Sequence, residues 1–265
     1  MVRTGTSRAA KAPPSRKWNN VIATLKATDR NAASVLNVSF GVAVKTLPTI
    51  DLLARPILYG ISTGLRFVGD TKQQGMSSAV ATREIPINER YAAPSIANGL
   101  WNIASFEMAI ESANSSFGRL AERAFKNTLN YLMSKGSPAN QNVAERNLRE
   151  FLEAQGDGGL VRLLVSNYLF ELSLYYLHSG KNPSSGIKED TGYRFYIDGR
   201  DRVLDPEKIE KFKQELRSEC EKKAVAVVNK LKEMELFGPL ANNRFSDPKV
   251  SALLREAFEE ITKGS

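Results

Sequence analysis

"GLVRLLVSNYLFELSLYYLH" (Gly159–His178) is the stretch that decides the fold. Its apolar residues fall on every side of a helical projection, and its only formal charges are Arg162 and Glu171. A helix with no polar face has no side to offer to water, so it belongs in the middle of a bundle. The chain around it must then supply the helices that cover it.

Upstream, "GDGG" (156–159) reads as a turn between two helices. Before it, residues 139–155 form an amphipathic helix with Val143, Leu148, Phe151 and Leu152 on one face. "KGSP" (135–138) stops an earlier helix over 96–135, with Gly136 as terminator and Pro138 just beyond. That helix carries Ile96, Leu100, Ile103, Phe106 or Glu107, Ile110 and Ala113. After a candidate break at Gly118 it continues with Leu120, Phe125, Leu129 and Leu132.

Nearer the start, residues 18–30 form a short helix (Trp18, Val21, Ile22, Leu25), and residues 34–44 are β-branched enough for either a strand or a buried helix turn. Residues 49–68 have helical spacing, with Pro56 kinking that helix or starting a second one. Residues 68–94 read as a long polar loop.

Downstream, residues 179–192 are loop. "YRFYIDGRDRVLD" (193–205) alternates around Asp198-Gly199, the signal of a β-hairpin. A long charged helix over 206–236 follows, capped by Asp205 and opened by Pro206, with Ile209, Phe212, Leu216, Cys220, Val227 and Leu231 inward. "FGPLANNRFSDP" (237–248) interrupts. The last helix runs over 248–263 behind Asp247 as cap, with Leu253, Leu254, Ala257, Phe258 and Ile261 inward.

These readings add up to a mainly α fold: an irregular multi-helix bundle of about six to eight helices. One small β-hairpin lies near 193–204, and an extended basic N-terminal arm precedes the bundle. The organisation expected is a flexible basic arm (1–30), a small segment and linker (31–94), and a helical body (95–265).

The formal net charge of +8 is unevenly distributed. Residues 1–90 hold 13 Lys and Arg against 5 Asp and Glu, whereas residues 91–265 hold 24 of each. Within the first 30 residues Arg3, Arg8, Lys11, Arg16, Lys17, Lys26 and Arg30 face Asp29 alone. A basic segment on a neutral body reads as an arm for an anionic partner, and nucleic-acid phosphates are the leading candidate. Trp18 closes the arm, either anchoring it to the body or stacking on a base. The hairpin adds Arg194, Arg200 and Arg202, with Tyr193 and Tyr196 beside them, as a candidate second contact.

The chemistry of the chain excludes several function classes. One cysteine, Cys220, allows no intrachain disulfide and no cysteine-based zinc site, and one histidine, His178, allows no two-histidine metal site. No glycine-rich segment has the spacing of a phosphate loop. The paired glutamates Glu107 and Glu111, with Glu122 further along, form the one pattern that could hold a magnesium ion for a nuclease. Against it, Arg119 and Arg123 beside them read as a salt-bridged surface. Asp198, Asp201 and Asp205 do not keep calcium-loop spacing. Glu171 sits in an apolar helix and demands a buried salt bridge or a bond to another helix, with Arg162 or a lysine elsewhere as candidate partner; the alternative is a functional carboxylate with a raised pKa. Tyr168, Tyr175 and Tyr176 on the same helix read as core or as a partner-facing patch. No stretch is long and uncharged enough for a membrane span, and no apolar block marks a secretory signal, so a cytoplasmic location is the expectation.

The function that follows is a non-catalytic structural or scaffold subunit of a nucleoprotein assembly, coat- or nucleocapsid-like, with no cofactor. The arm binds DNA or RNA non-specifically, while the body contacts other protein subunits and further copies of itself. The rivals are a metal-dependent nuclease using the paired glutamates, and a protein-only adaptor with an acidic partner.

Overall fold

Two helical segments have no exposed residue: Pro56 to Val68 and Gly158 to Leu174. Each must be enclosed by other parts of the chain, and each helps to enclose the other. The computed structural model describes residues 51–74, 116–133, 141–179, 206–244 and 247–260. Among these are six helices and no strand: α1 (Asp51–Gln74), α2 (Ser116–Met133), α3 (Gln141–Ser179), α4 (Pro206–Glu233), α5 (Phe237–Ala241) and α6 (Pro248–Glu259). The β-hairpin expected near 193–204, the arm over 1–30, the stretch 34–44 and the first part of the 96–135 helix lie outside the described residues.

α3 is the hub, packing against α1, α2 and α4. The buried residues of all these helices join into one apolar cluster. α1 lies on the 31–94 side of the charge boundary, yet it packs into the same core, against α2, α3, α5 and α6. The closest approach is at Gly64. A Cβ there would meet Leu164 Cδ1 at 3.2 Å, Leu160 Cδ2 at 3.4 Å and Phe125 Cε2 at 3.6 Å. A bare backbone at this point lets α1, α2 and α3 close on one another without a gap.

The covering helices are one-sided. α2 buries Leu120, Ala121, Ala124, Phe125, Leu129 and Leu132 and turns Arg119, Arg123 and Tyr131 outward. Gly118 lies inside this helix and does not break it. α4 buries Phe212, Leu216, Cys220, Ala224, Val227, Val228 and Leu231, the stripe its spacing predicts. It ends on Glu235 in the left-handed region (φ 54°), where Leu236 N donates to Leu231 O at 2.9 Å and Glu235 N to Lys232 O at 3.0 Å. That pair of bonds is the Schellman closure of a helix, with glutamate in the place glycine usually takes. α6 opens as expected. Asp247 Oδ1 accepts from Lys249 N at 2.9 Å, and Pro248 takes the first helical position. Its inward set is Val250, Leu254, Ala257 and Phe258, whereas Leu253 is exposed.

Two boundaries differ from the sequence reading. α1 passes through Pro56 and runs on to Gln74, past the expected loop start at 68. Pro56 lies in the second turn of the helix, where it removes one ladder donor without ending the helix. Beyond Val68 the helix leaves the core, so its apolar periodicity stops while its backbone continues. Thr71 Oγ1 donates to Phe67 O at 2.8 Å, and Lys72 Nζ to Asp157 Oδ1 at 2.9 Å. The "GDGG" turn is a kink within α3: Gly156 alone is non-helical, at φ 63° and ψ −168°. Only glycine holds that backbone without strain. Beside it, a Cβ on Gly158 would lie 2.7 Å from Lys232 Cε, so the lysine stem crosses where no side chain stands.

Three glycine replacements should separate these roles in urea unfolding. Gly156→Ala should lose about 1–3 kcal/mol through backbone strain, and Gly64→Val about 1–3 kcal/mol through overpacking. Gly69→Ala, whose Cβ would meet nothing within 4 Å in α1, should instead gain about 0.5–1 kcal/mol.

Candidate functional site

The residues expected to bind nucleic acid are Arg3, Arg8, Lys11, Arg16, Lys17, Trp18, Lys26 and Arg30, together with Arg194, Arg200 and Arg202. All lie outside the described residues, as do Glu107 and Glu111. The described helices bring together a different polar constellation, built on the seam between α2 and α3.

Polar side chains come in two rungs there, set by helical spacing. Thr128 follows Asn127 on α2, and Asn167 precedes Glu171 by one turn on α3. In the first rung, Asn167 Nδ2 donates to Thr128 Oγ1 at 2.9 Å, and Thr128 Oγ1 donates to Ala124 O at 2.8 Å. Both residues are buried. The hydroxyl is satisfied as donor and acceptor, as a buried polar group requires.

Glu171 makes the second rung and is the one charged side chain in the buried class among the described residues. Asn127 Nδ2 donates to its Oε1 at 2.9 Å, and Arg123 Nη1 to its Oε2 at 3.3 Å. Arg217 of α4 adds a second cationic influence, its guanidinium carbon 3.9 Å from the centre of the Phe170 ring. A cation over an aromatic face is held by the ring quadrupole. Burial pushes the Glu171 carboxyl above its ordinary range; Arg123, Arg217 and Asn127 oppose that shift without cancelling it.

The expected partner of Glu171 was Arg162 or a lysine. Arg162 instead bonds Gln155 at 3.2 Å and approaches Glu221 of α4 at 3.9 Å. The signal for the real partners was present: Arg123 and Asn127 stand at i, i+4 beside the apolar stripe of α2. Glu122, read with the metal-binding candidates, pairs with Lys126 on its own helix. His178 stands in the last turn of α3 as described. Tyr168 is core, 1% exposed. Cys220 is fully buried, and burial pushes its thiol far above the reactive range while Ser173 faces it. Such a thiol is a packing group.

Chemically, this seam holds a carboxylate and orients two helices. Among the described residues no cluster of three or more His, Cys, Asp or Glu could hold a metal ion. No described helix is long and apolar enough to cross a membrane.

The first rung can be measured by a double-mutant cycle. Thr128→Val should cost about 1–3 kcal/mol, because it leaves the Asn167 amide buried without its acceptor. Asn167→Leu combined with Thr128→Val should cost less than the two single changes together, since both polar partners then leave the seam. Urea unfolding of the four proteins checks this. No family model, no curated protein and no solved structure matches the chain, so its functional reading rests on its own residues.

Proposed function

We propose that the protein is a non-catalytic structural subunit of a nucleoprotein assembly, coat- or nucleocapsid-like. Its basic N-terminal arm holds DNA or RNA non-specifically, and its helical body makes protein–protein contacts, including contacts with further copies of itself. The observation that carries this reading is the segregation of charge: the whole surplus of +8 lies in residues 1–90, and residues 91–265 are balanced.

Electrostatics gives the arrangement its logic. A phosphate backbone attracts any concentrated cationic segment, and binding releases condensed counterions regardless of sequence. Seven basic residues against Asp29 in the first 30 positions provide such a segment. Its Ser, Thr, Ala and Pro content suits a chain that wraps a partner better than one that builds a core. Trp18 at its end either seats the arm on the body or stacks on a base. Arg194, Arg200 and Arg202 give the body a local basic concentration for a second contact.

The charges of the described body are largely paired with one another on the surface, as in Arg146–Glu150, Lys222–Glu219 and Lys230–Glu256.

Binding of a labelled single-stranded oligonucleotide, measured against salt, tests the proposal. With seven arm contacts the slope of log K against log salt should approach about −5, a loss of roughly 10³-fold between about 50 and 200 mM. Deleting residues 1–30 should remove that dependence and leave the helical circular dichroism intact. Undiminished binding by the truncated chain would overturn the arm's role. Absence of any affinity at low salt, with retained binding to an acidic protein, would favour the adaptor reading.

A further inference from the structure

We propose that Glu171 is a proton-operated clamp on the α2–α3 seam. When ionised it holds the Arg123 guanidinium against α3; when protonated it releases Arg123 and leaves the seam more stable. This goes beyond nucleic-acid binding and holds whatever the arm binds.

The geometry distinguishes the two carboxyl oxygens. Oε1 accepts the shorter bond, from Asn127 Nδ2 at 2.9 Å, and Oε2 the longer one, from Arg123 Nη1 at 3.3 Å. A proton therefore goes to Oε2, the less firmly held oxygen. Protonated, that oxygen loses its charge and becomes a weak acceptor for the guanidinium. The bond to Arg123, already the longer of the two, loosens. The Arg123 side chain is 63% exposed, so water replaces the lost partner at little cost. Asn127 keeps its bond, because Oε1 of the neutral acid still accepts.

The groups facing the carboxyl come from two helices besides its own. α2 supplies Arg123 and Asn127, and α4 supplies the charge of Arg217, held over Phe170. On α3 itself its neighbours Phe170 and Leu172 are apolar and buried. Ionised Glu171 thus carries a desolvation penalty that its two cations do not offset.

Burial raises the proton affinity of Glu171 above the ordinary glutamate value of 4.5. The folded chain then binds this proton at a higher pH than the unfolded chain does. Stability must rise as pH falls through the folded-state pKa, and the gain is complete below 4.5. The window is mildly acid, above the range in which ordinary carboxylates titrate.

The test is urea unfolding of the full chain from about pH 7 down to about pH 5, comparing wild type with Glu171→Gln and Arg123→Gln. Glutamine mimics the protonated acid: it accepts from Asn127 and presents a donor to Arg123. Glu171→Gln should unfold at higher urea than wild type near neutrality, with the gap closing as pH falls. A gap that stays constant with pH, or a variant midpoint below wild type throughout, overturns the clamp. Arg123→Gln alters an exposed side chain and removes the nearer cation, so its acid-side gain should begin at a higher pH than in wild type. If Glu171→Gln fails to fold, that second variant decides alone, and a pH profile unchanged from wild type overturns the proposal.

Discussion

The structure depends on the crossing of two helices that have no wet side. α1 between Pro56 and Val68, and α3 between Gly158 and Leu174, have no residue in the exposed class, and they meet where Gly64 lies against Leu160 and Leu164. Burial of apolar area drives such a contact, and close packing makes it specific. Neither helix is stable in water alone. α2, α4, α5 and α6 are therefore the one-sided cover that two all-round-apolar helices require. The kink at Gly156 lies where the sequence of α3 changes from amphipathic to apolar, and Leu148 and Leu152 before it still join the core.

A dry core admits polar groups only in matched sets. Thr128 and Asn167 form one such set, and Glu171 with Asn127 and Arg123 the other, one helical turn further along the seam. The first set is neutral and satisfied. The second contains the one charged side chain in the buried class among the described residues, and burial raises its proton affinity. Elsewhere the body's charges lie on its surface as short-range pairs. Exposed pairs of this kind contribute little to stability.

How far the sequence discloses this depends on which force shapes each feature. The all-round-apolar stretch at 159–178 identifies the central helix because burial acts on every one of its faces. Asp247 with Pro248 marks the start of α6, and the glycines of 156–159 mark the kink, because capping and backbone freedom are local. The end of α1 at Gln74 was not legible from apolar periodicity, which stops where burial stops rather than where hydrogen bonding does. Leu253 was read as inward and is exposed, because the lean of α6 is set by the helices beneath it. The expected bond of Glu171 to another helix is present, but its cation differs from the one named, for a related reason. A charge demands a partner, but only the crossing of α2 over α3 decides that Arg123 supplies it and Arg162 does not.

The functional account joins a body held together by its own core to a cationic arm whose charge that core does not need. Long-range electrostatics requires only concentration of charge, which is why the proposal of an arm over residues 1–30 rests on counting alone. Photo-crosslinking the full chain to a labelled single-stranded oligonucleotide, followed by mapping of the adducts, tests this division most directly. The account predicts adducts concentrated in residues 1–30, with any second group in the 193–204 segment. Adducts confined to the surfaces of α2, α4 or α6 would contradict it.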